Sequence, residues 1–168
     1  AMNRDSLDTM YQKYVNDVYR YLFSLCREHH TAQDLVQETF YRAYLYLENC
    51  KDDRVKPWLF RVAYNAFIDV KRKEKHSFAQ DIRYFQQMPD RETPEEQMLQ
   101  RERRQEMEQW ILDLPEKQQQ AILLVDFNGL SYQEASDIMG IGLPHLKILL
   151  FRARQKLRRQ NERMDANE

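Results

Sequence analysis

Between His145 and Arg159 the chain reads HLKILLFRARQKLRR, with six cations threaded through leucines. A helix of that composition buries one side and offers the other to a polyanion. At about 100° per residue, Leu143, Leu146, Leu150, Ala153 and Leu157 fall on one line. Lys147 and Arg154 lie at its edge, and His145, Ile148, Arg152 and Arg159 lie opposite. Such cations neutralise phosphates. Residues near the N-terminus of such a helix, here His145 and Lys147, are those that meet base edges in a major groove. Ile148 is the odd member, an apolar residue on a polar face. It suits a thymine methyl, or has no partner.

A second cationic segment lies far away in sequence. Residues 51–76 carry eight Lys/Arg against four Asp/Glu, and residues 147–163 carry seven against one. The remainder is acidic, so the net charge is only −1. In PWLFRVAYNAFIDVKRKEK, Leu59, Val62, Ala63, Ala66 and Val70 form a buried stripe. Arg61, Tyr64, Asn65, Ile68, Lys71 and Arg72 face away. Cations interleaved with an aromatic and an amide suit nucleic acid, including single strands whose bases stack on rings. Trp58 is read as packing.

A third surface is different in kind. In DLVQETFYRAY, Val36, Phe40, Ala43, Tyr44 and Leu47 share one side, and Asp34, Leu35, Glu38, Arg42 and Leu45 share the other. Leucines ringed by carboxylates suit a protein partner with basic residues.

Catalytic chemistry finds little purchase. His29 and His30 sit at a helix end, His76 in a basic run and His145 on the cationic face. No nucleophile–base pair or metal-ligand spacing appears. Cys26 and Cys50 stand alone and are expected to be reduced thiols. No catalytic residue, cofactor, metal or small-molecule substrate is expected. No apolar run approaches the length of a membrane span, so no membrane insertion is expected.

The elements that position these residues are helices. Only 3 Gly and 5 Pro occur among 168 residues, and Leu, Gln, Glu, Arg and Lys favour an all-α chain. A first helix is expected over roughly 6–28. Thr31–Asp34 resembles a capping box and opens a second helix to about Glu48. Asn49–Val55 reads as a loop, and Pro57 suits the first turn of a third helix. Residues 77–92 read as a flexible linker between two small helical domains, 1–76 and 93–168. In the second, Thr93–Glu96 starts a helix to about Leu112, and Pro115 opens another to about Phe127, ended by Asn128-Gly129. Ser131–Glu134 is a capping box for a short helix to Met139. Gly140-Ile-Gly142 turns the chain into a helix over roughly 143–159. Short helix, glycine turn and longer basic helix make a helix-turn-helix.

DLVQETFYRAYLYL, PWLFRVAYNAFIDVKRKEK and LPEKQQQAILLVDFNGLSYQEASDIMGIGLPHLKILLFRARQKLRR, in that order and spacing, resemble the extracytoplasmic-function group of bacterial sigma factors. The resemblance covers about residues 7–160. It implies a cytoplasmic protein, associated with the nucleoid when bound to polymerase, that directs core RNA polymerase to promoter DNA and starts strand opening. An envelope or stress signal would set it to work, and an anti-sigma factor would be a possible further partner.

Residue by residue, the resemblance implies a polymerase-binding set of Asp34, Leu35, Gln37, Glu38 and Arg42. The loop residues Asn49, Lys51, Asp52 and Arg54, with Lys56, Arg61, Tyr64, Asn65, Ile68, Lys71 and Arg72, would read and open the minus-ten element. Ser131, Tyr132, Pro144, His145, Lys147, Ile148, Arg152 and Arg154 would meet the minus-thirty-five element. The family commonly reads Gly-Thr-Val-Lys-Ser-Arg-Leu after the turn. Here Ile148 and Leu149 stand where the family has Ser and Arg, so the family's polar base contacts do not carry over there, and a contact from Ile148 would be apolar. An enzyme, and a helix-turn-helix regulator that works without polymerase, remain the rival readings. Core polymerase separates them.

Overall fold

The computed structural model describes residues 4–46, 54–73 and 105–166, and every regular element among them is helical. In the first block α1 (Arg4–Cys26), α2 (His29–Tyr46) and α3 (Val55–Lys73) pack on one another. Val18, Tyr21, Leu22, Leu35, Phe40, Leu59, Phe60, Ala63 and Phe67 form their shared core. Edge-to-face pairs lock it, with Tyr21 against Phe60 at 5.3 Å and Tyr11 against Phe40 at 4.9 Å.

The joint between α1 and α2 differs from the sequence expectation. Helix α1 stops at Cys26 because Arg27 adopts φ +59°, a left-handed conformation usual for Gly at this position. Its amide still donates to Phe23 O at 2.8 Å. Helix α2 then starts at His29, two residues earlier than Thr31. Glu28 is the capping residue: its carboxylate accepts from the amides of His30 (3.0 Å) and Thr31 (2.7 Å) and from the Thr31 hydroxyl. Those bonds lower the Glu28 pKa despite partial desolvation.

The second block contains α4 (105–112), α5 (Glu116–Ile122, widening into a π-helical turn at Leu123–Phe127), α6 (Tyr132–Met139) and α7 (Leu143–Ala166). Pro115 opens α5 as expected. Gly129 at φ +72° closes the π turn, and the Asn128 amide nitrogen donates to Leu123 O at 2.8 Å. The Ser131 box is complete: the Glu134 amide donates to Ser131 Oγ at 3.0 Å, and the Ser131 amide donates to Glu134 Oε1 at 2.8 Å. Gly140 at φ +67° ends α6, with the Ile141 amide returning to Ser136 O. Helix α7 continues to Ala166, seven residues past its expected end. The loop Asn49–Asp53, the linker 77–92 and the helix start at Thr93 lie outside the described residues.

The two blocks touch. Helix α1 lies against α5, and α3 lies against α6. Arg27 Nη2 donates to Leu112 O at 2.8 Å, and Arg20 Nε meets Glu108 Oε1 at 3.4 Å.

Two groups in the first core resist ionisation. Burial pushes the Cys26 thiol up to about 11 and holds the Tyr21 phenol well above its ordinary 10.0. Each keeps its proton in the folded chain at pH values where the unfolded chain releases it. The stability they contribute is therefore complete below about pH 9 and is lost as pH rises through the folded values. The expected outcome is a urea midpoint that falls between about pH 8 and pH 10.5, with a shallower fall in Cys26→Ala. A midpoint independent of alkaline pH contradicts it.

Candidate polymerase and nucleic-acid interfaces

Burial sets the roll of each helix and so decides which side chains face outward. On α7, Leu146, Leu149, Leu150 and Ala153 are buried, with Leu143 and Leu157 packed against the core. Leu149 thus belongs to the packed stripe, which explains why a cation there would not fit. His145, Lys147, Ile148, Arg152, Lys156, Arg158 and Arg159 are exposed. Ile148 is 49% exposed, as expected, and Phe151 is 67% exposed on the same side. Sequence reasoning missed Phe151, although its spacing of three from Ile148 places it on that face. Pro144 is exposed in the first turn.

Arg154 has a different environment from its neighbours. Its guanidinium is bidentate on Asp126, at 2.8 Å from Nε and 2.6 Å from Nη2, and Nη1 reaches the Tyr132 hydroxyl at 3.3 Å. The bonds to Asp126 and then Tyr132 raise its pKa further. The fork ties α7 to the π turn and to the start of α6, so Arg154 and Tyr132 hold the helix-turn-helix together from its exposed side. Ser131 spends its hydroxyl on the cap.

On α3, Arg61, Asn65, Lys71 and Arg72 are exposed, as is Arg54 just before the helix. Leu59, Ala63 and Ala66 are buried as expected, joined by Phe60 and Phe67, which the stripe reading omitted. Trp58 packs against the core. Tyr64 and Ile68 do not point freely outward: both are half-buried against the core. The Tyr64 phenol is raised in pKa, first by desolvation and then by Glu116 of the second block. Lys56 spans the ring of Tyr14 at 5.8 Å, and Lys71 the ring of Phe67 at 5.7 Å.

On α2 the expected polymerase set is corrected at one position. Leu35 is only 2% exposed and belongs to the core. The helix has rolled so that Asp34, Gln37, Glu38, Tyr41 and Leu45 share the outward stripe, and Tyr44, assigned to the buried side, is 64% exposed. Arg42 is bridged to Glu38 and to Asp69 of α3, both at 2.9 Å. It orients Glu38 and staples α2 to α3. The apolar partners of the carboxylates are thus Tyr41 and Leu45. Among the described residues no cluster of His, Cys, Asp and Glu could hold a metal, and no helix is long and apolar enough to cross a membrane.

Three faces therefore stand on three helices: an acidic-apolar stripe on α2, a cationic face on α3 and a cationic face on α7. Residues 10–77 match the model for sigma-70 region 2, and residues 104–157 match that for sigma-70 region 4. The chain is 41% identical over 157 residues to the ECF RNA polymerase sigma factor SigM of Bacillus subtilis (strain 168), covering 91% of this chain and 93% of that one. It is 32% identical over 162 residues to the RNA polymerase sigma factor YlaC of the same organism, covering 94% and 92%. Among solved structures, the sigma factor RpoE from Bartonella quintana, bound to the anti-sigma factor NepR, superposes with a TM-score of 0.69 at 22% identity, covering 94% of this chain and 97% of that one. Order of faces, fold and sequence agree, and the chain belongs to the sigma-70 family, in its extracytoplasmic-function group.

Proposed function

We propose that this chain brings core RNA polymerase to promoters through three separate faces. The stripe Asp34, Gln37, Glu38, Tyr41 and Leu45 docks on a basic and apolar surface of polymerase. The α3 face, with Arg61, Asn65, Lys71 and Arg72, binds the minus-ten element and the strand released from it. The α7 face, with His145, Lys147, Ile148, Arg152 and Lys156, lies in the major groove of the minus-thirty-five element. The carrying observation is that each face sits opposite a buried stripe, so the exposed residues are fixed in register with no core role of their own. Residues 1–76 and 93–168 are the two working units. Polymerase performs the nucleotidyl transfer; this chain supplies position and strand opening, in the cytoplasm where polymerase and nucleoid lie.

An inhibitory partner also fits these faces. One solved neighbour, the sigma factor RpoE, is bound to the anti-sigma factor NepR, and another, CnrH, is bound to the cytosolic domain of CnrY. The exposed Ile148–Phe151 pair gives such a protein an apolar grip on α7.

Charge reversal tests the polymerase face. Glu38→Lys should weaken binding to core enzyme by at least about tenfold, roughly 1.4 kcal/mol. Its cost to stability should stay under about 1 kcal/mol, because the pair with Arg42 is exposed. Unchanged affinity in a titration against core enzyme removes this stripe from the interface.

Strand opening is checked on α3. Asn65→Ala and Arg72→Ala should lower open-complex formation on a duplex promoter, and a pre-melted promoter should restore it. Permanganate reactivity of the promoter thymines reads the opening directly; wild-type reactivity in both variants sinks the assignment.

Arg152 and Arg154 should part company. Arg152→Ala should reduce the salt slope of promoter binding by about 1. Arg154→Ala should leave that slope nearly unchanged and destabilise the second block by about 0.5–1 kcal/mol, because a half-exposed pair is screened. Equal losses of slope in the two variants would place Arg154 on phosphate instead.

A further inference from the structure

The outward face of α7 is not uniformly cationic. Buried Leu146, Leu149, Leu150 and Ala153 define its inward direction. At about 100° per residue, Pro144, Ile148, Phe151 and Gln155 all fall within about 30° of the opposite direction. All four are exposed. Lys147 and Arg158 lie about 50–70° to one side of that line, and Arg152 and Arg159 lie about as far to the other. These four cations are exposed as well. The helix thus presents an uncharged, mostly apolar centre line between two cationic edges. Ile148 and Phe151, 49% and 67% exposed, are its largest apolar members. Glu162 returns to the same line about two turns past Gln155 and ends the strip with an exposed carboxylate.

That cross-section matches a major groove. An α-helix with its side chains is about 10–12 Å across, and the groove is about 12 Å wide. A helix that enters it sets the centre of its outer face on the floor, where base edges lie, and its two edges against the two phosphate strands. Ile148 and Phe151 then meet the floor, and neither has a hydrogen-bond donor or acceptor in its side chain. The apolar group that a base pair displays there is the C5 methyl of thymine. We infer that the upstream element is read chiefly through thymine methyls, by Ile148 and Phe151, while the flanking cations hold phosphates. The inference rests on the sigma-factor reading above and names what its α7 face recognises.

Spacing sharpens it. Ile148 and Phe151 are three residues apart, about 4.5 Å along the helix axis, and stacked base pairs rise about 3.4 Å. The two side chains therefore reach neighbouring base pairs, and the element should carry thymine, on either strand, at two neighbouring pairs. Polar readers are scarce on this face. Arg154 is bound to Asp126 and Tyr132, Leu149 is turned into the core, and Gln155 is the one amide on the centre line. A protein is the poorer occupant of the strip. Cores of protein interfaces are depleted in charge, whereas cations flank Ile148 and Phe151 on both sides. A duplex gives those cations phosphates; an apolar protein surface would strip them of water without a partner.

Removing single methyls tests this. Holoenzyme assembled from core polymerase and the full chain first selects promoters from a random library. Deoxyuridine then replaces thymine, one position at a time, in the upstream element of a selected promoter. Uracil pairs with adenine as thymine does, so only the methyl is lost. Two neighbouring positions should each lose about fourfold in affinity for holoenzyme, the effect of one buried methyl. In Ile148→Ala the loss at one of them should vanish, and in Phe151→Ala the loss at the other. Both side chains are exposed, so neither variant should lower the urea midpoint. An upstream element without neighbouring thymines, wild-type affinity for every deoxyuridine duplex, or losses that persist unchanged in both variants overturns methyl readout. The selected promoters then still uphold the sigma-factor reading, and Ile148 and Phe151 fall to a protein partner. A chain that selects no promoter with core enzyme overturns that reading, and methyl readout with it.

Discussion

Burial of Leu146, Leu149, Leu150 and Ala153 fixes the roll of α7, and the aim of the proposed recognition face follows from that one constraint. A helix has no independent way to choose which side meets DNA. It turns until its apolar stripe is covered, and whatever lies opposite becomes the working surface. Here Lys147, Ile148, Phe151 and Arg152 lie opposite. Three devices keep the stripe seated. The Ser131–Glu134 box starts α6, Gly140 lets the chain turn without a Cβ penalty, and Arg154 clamps α7 to Asp126 and Tyr132. Arg154 shows how far the constraint reaches: a cation at the edge of the buried stripe is close enough to its own block to find a carboxylate there.

The same logic shows what was legible in the sequence. Elements with strong local signals were read nearly to the residue. The helix-turn-helix is one, because a capping box, a left-handed glycine and a long leucine stripe all agree on where it begins and turns. The roll of α2 was misread. Its apolar positions are dense enough that two lines through the helical wheel fit almost equally well, and Leu35 and Tyr44 were exchanged between them. Packing broke the tie: Leu35 lies in the closed core with Phe40, whereas Tyr44 is exposed among the described residues. The start of α2 was misplaced for another reason. A glutamate that caps from Glu28 is an uncommon choice, and the break before it is made by an arginine in a conformation that local sequence does not announce. Arg27 turns the chain there because its side chain is anchored 85 residues away, on Leu112.

Long-range pairing was the part beyond reach of periodicity. Arg154–Asp126, Arg42–Asp69 and Arg20–Glu108 join residues 28, 27 and 88 apart. In sequence each cation looks like the others around it. In the structure the exposed members of a cationic run separate into those that face solvent and those that knit helices together. Charge counts over a segment therefore overstate the number of phosphates it can neutralise, and the correction is one full charge for α7.

That subtraction bears on how the molecule works. Each face alone offers a handful of cations, which gives weak, salt-sensitive affinity for DNA. Specific binding must then come from using both faces on one promoter, where the second contact forms at the effective concentration set by the first. Such a gain exists only when geometry allows simultaneous engagement. Polymerase that binds α2 and positions both blocks on one promoter would turn two weak contacts into one strong one without adding a single hydrogen bond to DNA. Affinity for promoters would then belong to the assembly.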